Sequence, residues 1–380
     1  MANPGDLDTS FAGDGKRTID FGGTDAARVV LVQPNERIVV AGGGAAAGSF
    51  CVARLRTNGA LDATFGSGGK RVIDFGGDDE SVYGAALQRP DGKIVLAGDS
   101  DLRVAVARLN RDGSLDSTFS GDGRKLFSWG TLSRASAVLV LPNGKILLAG
   151  FSGPEGGNLQ VARLKANGAL DSTFGNGGTA PIDFGGDDFG LAMARQANGR
   201  ILVTGRSSAG GAVVARLRAN GILDPDFGGD GRVTLPGGGS ASAVLVQPDG
   251  KIVVAGNASG GAMMTVTRLK PNGALDSTFH GDGTATIDFG SLADLANDAV
   301  LQPGGKIVVA GYTQADEDVA VARINADGSA DATFGAAGKA TVDFGVATFG
   351  NAVALQTNGR ILVAGQRTGS DDFAVARLLG

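Results

Sequence analysis

Leu61-Asp62-Ala63-Thr64-Phe65 returns as Leu115-Asp116-Ser117-Thr118-Phe119, Leu170-Asp171-Ser172-Thr173-Phe174 and Leu275-Asp276-Ser277-Thr278-Phe279. Looser copies are Leu7-Asp8-Thr9-Ser10-Phe11, Leu223-Asp224-Pro225-Asp226-Phe227 and Ala330-Asp331-Ala332-Thr333-Phe334. The seven aspartates are spaced by 52 to 55 residues. A fixed period of this length marks a repeat architecture. No composition shift or linker interrupts it, so residues 1–380 read as one array.

Between two copies of the motif the chain reads as four strands. Lys70-Arg71-Val72-Ile73-Asp74-Phe75-Gly76 alternates polar and apolar residues, the period of a half-buried strand. Val82–Gln88 is small and apolar, as in a strand buried on both faces. Lys93–Gly98 and Val104–Leu109 complete the unit. Asp91-Gly92 joins the second strand to the third, and the pair recurs as Asn143-Gly144, Asn198-Gly199, Asp249-Gly250, Gly304-Gly305 and Asn358-Gly359. Such a pair between apolar runs predicts a type I′ hairpin turn. Only Asn35-Glu36 departs from this pattern. Gly makes up 65 of 380 residues without a three-residue period, and no stretch has a helical start signal and a 3.6-residue apolar period.

Seven repeats of four antiparallel strands predict an all-β, seven-bladed β-propeller. A solenoid of stacked sheets is the rival, and the phase of the repeat decides against it. The chain starts with one outer strand, at about 15–22, and finishes with three strands, at about 349–379, that lack a fourth. A ring closes when the first completes the last. A solenoid would need atypical capping repeats.

The linked motifs Leu-Asp-x-Thr-Phe-Gly-x-x-Gly, Asp-Phe-Gly, Gln-Pro-Asp-Gly-Lys-Ile-Val-Val-Ala-Gly and Val-Ala-Arg-Leu resemble the bacterial delta-60 repeat family of β-propellers. Clean matches are Leu61–Phe65, Gln247–Gly256 and Val321–Arg323, and the likeness spans essentially the whole chain. It implies a propeller of the kind found in large, often secreted or surface-attached bacterial proteins. It carries over no catalytic residues. Trp129 and Leu235-Pro236-Gly237 depart from its Asp-Phe-Gly motif.

Composition narrows the function. A net charge of −5 with no basic run argues against a nucleic-acid partner. No apolar stretch is long enough for a membrane-spanning helix, and Met1-Ala2-Asn3-Pro4-Gly5-Asp6 does not read as a signal peptide. A monomer is expected. Cys51 alone gives no intrachain disulfide and reads as a small buried hydrophobe, and His280 alone gives no histidine metal cluster. Seven arginines end the fourth strands, at 54, 108, 163, 216, 268, 323 and 377. Seven symmetry-related arginines suit a repeated structural ion pair, with the Leu-Asp or the Asp-Phe-Gly aspartate as partner. Asp14, Asp122, Asp230 and Asp282, in Gly-Asp-Gly, read as turn residues, and the glycine-rich Ala41–Ala45 as a turn rather than a phosphate loop.

Function then lies where the repeats disagree. Five residues before each Gln-Pro-Asp-Gly glutamine, or its equivalent, stand Arg28, Tyr83, Ser136, Leu191, Ser242, Asn297 and Asn351. Eight before it stand Asp25, Glu80, Ser133, Asp188, Gly239, Asp294 and Thr348. Asp298 intrudes among small apolar neighbours. Loops of the same face add Asp78, Asp79, Asp99, Asp101, Glu155, Asp187, Asp316-Glu317-Asp318 and Asp371-Asp372. The expected site is therefore the mouth of the central channel, with Arg28, Tyr83, Asp188, Asp294, Asn297, Asp298 and Asn351 as ligand contacts. Carboxylates without histidine or thiolate suit Ca²⁺, and Asp25, Glu80, Asp294 and Asp298 are the residues that would hold it. The favoured function is a non-catalytic binding or interaction scaffold for a protein or carbohydrate. The alternative is a propeller-type lyase or hydrolase with a carboxylate-held divalent metal in the channel.

Overall fold

In the computed structural model, which describes residues 2–44, 48–153, 157–261, 263–314, 317–369 and 371–380, 28 strands form seven four-stranded antiparallel sheets. No helix occurs among the described residues. Blade 1 is Ala26–Val32, Ile38–Gly44, Ser49–Leu55 and Lys70–Ile73, from the axis outward. The inner strands of blades 2 to 7 are Glu80–Gln88, Ser133–Val140, Asp188–Arg195, Gly238–Val246, Asp294–Leu301 and Thr348–Leu355. Blade 7 takes its outer strand, Lys16–Ile19, from the other end of the chain: Lys16 pairs with Ala376 and Ile19 with Phe373. The ring is closed as the repeat phase predicts, by a strand shorter than the 15–22 segment.

There is no single core. Seven apolar clusters each fill the gap between two adjacent blades, and each holds one fully buried phenylalanine of the Leu-Asp-x-Thr-Phe motif. Phe65, for example, lies between blades 1 and 2 with Val39, Phe50, Val82 and Leu96. The seam between blades 7 and 1 holds Phe11 and Ile19 from the N-terminal segment, and Cys51. Burial pushes the Cys51 thiol up to about 12, so it is packed and inert.

The arginine ring is present in full. Arg54, Arg108, Arg163, Arg216, Arg268, Arg323 and Arg377 each direct Nε to the Leu-Asp carboxylate, at 2.6–2.9 Å. Each guanidinium also lies over its motif phenylalanine, 4.7–4.9 Å from the ring centre. In six of them Nη1 donates to a carbonyl of the next blade, for example Arg108 to Ala166 at 2.6 Å. The aspartate caps its own turn as well: Asp116 Oδ1 accepts the Thr118 amide and hydroxyl. Burial opposes the Asp116 charge, but Lys93, Thr118 and Arg108 outweigh it and hold the carboxyl well below the usual range. Turn capping also accounts for Asp14, Asp122, Asp230 and Asp282, each accepting the amide two residues on.

Four local expectations are corrected. The first strand of the repeat stops at Ile73 rather than Gly76, because the Phe75 and Gly76 amides turn to the Glu80 and Asp74 carboxylates. The inner strand is only half-buried, since every second residue flanks the channel, and the second and third strands are the ones buried on both faces. The hairpins are not type I′. In Pro142-Asn143-Gly144 only the glycine has positive φ, its amide donates to Leu141, and the Leu141 amide donates to Lys145. That is a three-residue loop, a type I turn followed by a left-handed residue. Ala41–Gly44 is strand, not turn, and Ala45 lies outside the described residues.

Candidate functional site: the axial mouth

All seven inner strands carry a β-bulge near their start. The register skips Arg28, Tyr83, Ser136, Leu191, Ser242, Asn297 and Asn351, the residues of the five-back column. A bulge leaves one residue unpaired and re-aims its side chain. Here it presses an inner-strand carbonyl onto the second strand, where a Cβ on Gly42, Gly98, Gly150, Gly205, Gly256, Gly311 or Gly365 would collide with it. The repeated Ala-Gly or Thr-Gly of the second strand thus makes the bulge possible. All seven bulge residues line one axial cavity of about 460 Å³, with Arg134, Phe151, Phe189, Arg206, Ser240 and Asn257.

The eight-back column has a different role. Asp25, Glu80, Asp188 and Asp294 are fully buried. Each accepts the backbone amide of the Asp-Phe-Gly phenylalanine just before it: Phe21, Phe75, Phe184 and Phe289 respectively. Glu80 adds the Gly77 amide, Asp294 adds the Ser291 hydroxyl, and Ser133 takes the Trp129 amide. These side chains fasten the turn that leads from one blade into the next. Nor do Asp25, Glu80, Asp294 and Asp298 form one cluster. Among the described residues the one group of three carboxylates with oxygens within 4.8 Å of one another is Asp20, Asp25 and Asp372, at the closure seam. Glu155 and Asp316 lie outside the described residues.

Asn297, Asp298 and Asn351 do come together, between blades 6 and 7. Asn297 Nδ2 donates to Gly350 O and Asn351 Nδ2 to Ala27 O, both at 2.8 Å. The donors are engaged in holding blades together. Asp298 sits just below, where it accepts the Ala299 amide at 2.8 Å and the Val353 amide of blade 7 at 2.9 Å. The residue is half-buried. Burial pushes its carboxyl up to about 6, against the pull of the two amides.

The other half of the mouth is built of arginines and aromatic rings. The Tyr83 ring lies 4.9 Å from Arg28 and 4.2 Å from Arg134; Arg134 also lies 5.5 Å from Phe151, and Arg206 lies 4.6 Å from Phe189. Phe151 and Phe189 meet edge-on across the seam of blades 3 and 4, 4.8 Å apart. Arg134 also bonds Asp99 at 3.3 Å; burial raises the Asp99 carboxyl and Arg134 opposes the rise. Arg134, Phe151, Arg206, Ser240 and Asn257 are not identified by the sequence reading. They occupy facing positions in the ladder, Arg134 with Phe151, Phe189 with Arg206 and Ser240 with Asn257. The signal available was the variable residue after the recurrent second-strand glycine: Gly43, Asp99, Phe151, Arg206, Asn257, Tyr312 and Gln366.

His280 is exposed in a turn, with φ 54°, where four of the other six blades have Gly. A further cavity of about 490 Å³ opens on the opposite face between blades 1 and 2, but its Arg54 belongs to the structural ring.

The chain belongs to the β-propeller family described as a domain of unknown function (DUF5122), which it matches over residues 33–65, 89–119, 141–174, 196–227, 247–279, 302–334 and 356–380. No curated protein matches the sequence. Among solved structures, the chain is similar to a virginiamycin B lyase from Staphylococcus aureus, at 8% identity and TM-score 0.62, covering 96% of this chain and 99% of that one. The Cps50 (Swd1) β-propeller domain of Myceliophteria thermophila aligns at 10% identity and TM-score 0.55, over 96% and 98%. YCF48 bound to D1 peptide aligns at 10% identity and TM-score 0.53, over 100% and 98%. At these identities the likeness is one of fold.

Proposed function

We propose that this protein is a non-catalytic binding propeller that takes its ligand at the axial mouth. One observation carries the reading: the cavity of about 460 Å³ gathers all seven bulge residues, and these differ from blade to blade while the arginine ring and the turns repeat. Its volume lies within the range of small-ligand sites. The motif order further supports a delta-60 repeat, and with it a secreted or surface-attached bacterial setting. The lyase reading has less support. His280 is remote in an exposed turn, and the buried acids Asp25, Glu80 and Asp294 already serve turn amides.

The test is a thermal-shift panel of glycans, peptides and divalent cations, run on the parent and on Ser242→Trp and Leu191→Trp, which fill the mouth. Ligands that stabilise the parent should lose their effect on both variants. Hits that stabilise the filled variants as strongly as the parent would place binding elsewhere.

A further inference from the structure

Within the reading of the mouth as the binding site, and resting on it, we infer that the ligand is an acidic saccharide, a hydroxyl-rich chain with a carboxylate-bearing sugar at the mouth. The mouth has two unlike arcs. In blades 1 to 4, Arg28, Arg134 and Arg206 line the cavity, and none of its lining residues is a carboxylate. Their guanidinium faces lie on Tyr83, Phe151 and Phe189. Stacking covers the faces and leaves N–H edges as donors, the geometry that reads a carboxylate in two-point fashion; Arg134 gives its Nε to Asp99 and has its Nη groups left to offer. Arg28 Nε is buried without a hydrogen-bond partner, a donor awaiting an acceptor. The same stacking occupies the aromatic faces, so they offer little to a neutral sugar or an apolar side chain.

In blades 5 to 7 the arc is Ser240, Ser242, Asn257, Asn297 and Asn351. Asn297 and Asn351 direct their Nδ2 groups to inter-blade carbonyls. Asn297 Nδ2 also reaches Asn351 Oδ1 at 3.5 Å, so the acceptor turned to a ligand is chiefly Asn297 Oδ1, which suits a hydroxyl donor. An acidic peptide would use the arginine arc and leave this acceptor without a hydroxyl partner; an acidic sugar uses both. Blade 1 also opens a notch beside Arg28, because Ala26 and Gly43 stand where blades 3 and 4 have arginine and phenylalanine. The rest of the chain leaves by this notch. Exposed Asp79 on its wall repels a second anion, which confines the acidic sugar to the mouth.

Calorimetry on the full chain tests this with three probes: an aldotriouronic acid, xylotriose as its neutral counterpart, and triglutamate. The acidic trisaccharide should bind, should weaken as NaCl rises from 50 to 500 mM, and should lose at least tenfold in affinity in Arg134→Gln and again in Arg206→Gln. Asn297→Leu should weaken it too, and a cooperative thermal transition in each would establish that all three variants fold. Equal binding of xylotriose, or binding of triglutamate alone, overturns the saccharide inference and leaves the mouth reading standing if the arginine variants still abolish it. Binding of the trisaccharide that none of the three variants alters overturns both. No binding of the acidic trisaccharide overturns the inference alone, since the mouth-filling variants test the broader reading with other ligands.

Discussion

The same residue types do two jobs in this molecule, and their partners tell the jobs apart. Arg216 lies on Phe227, bonds Asp224 through Nε at 2.8 Å and donates from Nη1 to Pro271 O, so its face and these two donors are engaged by protein. Removing one partner of a buried ion pair costs roughly 3–5 kcal/mol. Asp224 also holds Arg200 and Arg218, so Arg216→Ala should cost about 3 kcal/mol, the lower end of that range. Among the described residues Asp116 has only Lys93 as a cation besides Arg108, and Arg108→Ala should cost nearer 5 kcal/mol, with ligand binding by the folded protein unchanged. Urea denaturation measures both, and a parent-like midpoint would make the ring decoration. Asp298 behaves oppositely. Its folded carboxyl keeps its proton to about pH 6, whereas an unfolded aspartate loses it near 4. The stability it contributes is complete below about pH 4 and is lost as pH rises to about 6. Two pKa units correspond to about 3 kcal/mol. Relative to Asp298→Ala, the parent should therefore lose about that much between pH 4 and pH 7. A parallel pH dependence of the two proteins would mean that Asp298 is ionised as freely as on the surface.

At the scale of the element, the bulge and the turn decide what was legible. The strands, their order and the column that enters the mouth could be read because apolar alternation and recurrent turn residues each have one physical meaning. The bulge itself could not: its sign is a glycine on the facing strand, and a glycine in an apolar run has several meanings. For the same reason the turn type was misread. Asp-Gly and Asn-Gly fit both a two-residue and a three-residue loop, and the amide of Gly144 bonding back to Leu141 decides for the longer one. The buried Asp25, Glu80, Asp188 and Asp294 read as ligand or cation contacts because a sequence does not show that a carboxylate faces its own turn. The loop geometry makes a prediction at the one hairpin that departs. Glu36 stands where its neighbours have glycine and adopts φ 63°. A left-handed conformation costs a non-glycine residue roughly 1–2 kcal/mol. Glu36→Gly should relieve it and stabilise the protein by about 1 kcal/mol, after glycine's greater freedom in the unfolded chain is deducted. A lower melting temperature would show instead that the contact of Glu36 with Gln356 outweighs the backbone strain.

The whole molecule is a ring of seams rather than a body with a centre, so its stability depends on the last seam being made. Phe11 and Ile19 fill the cluster between blades 7 and 1, Asp8 is the partner of Arg377, and Lys16–Ile19 covers the edge of Asp372–Leu378. Deleting residues 1–22 removes all three contributions together. The two side chains are worth roughly 1.5–3 kcal/mol each by burial, and the unpaired Arg377 roughly 3–5 kcal/mol more. The sum is comparable with the entire net stability of a typical protein. The exposed strand edge is in addition a template for pairing with another chain. The truncated protein should therefore aggregate or associate, and any folded fraction should melt well below the parent. Phe11→Ala, which leaves the edge covered, should lower the melting temperature without association. Light scattering combined with thermal unfolding separates the two effects. A truncated protein that stays monomeric and melts with the parent would mean that blade 7 is stable with three strands, and that the pairing of the chain's two ends does not hold the ring closed.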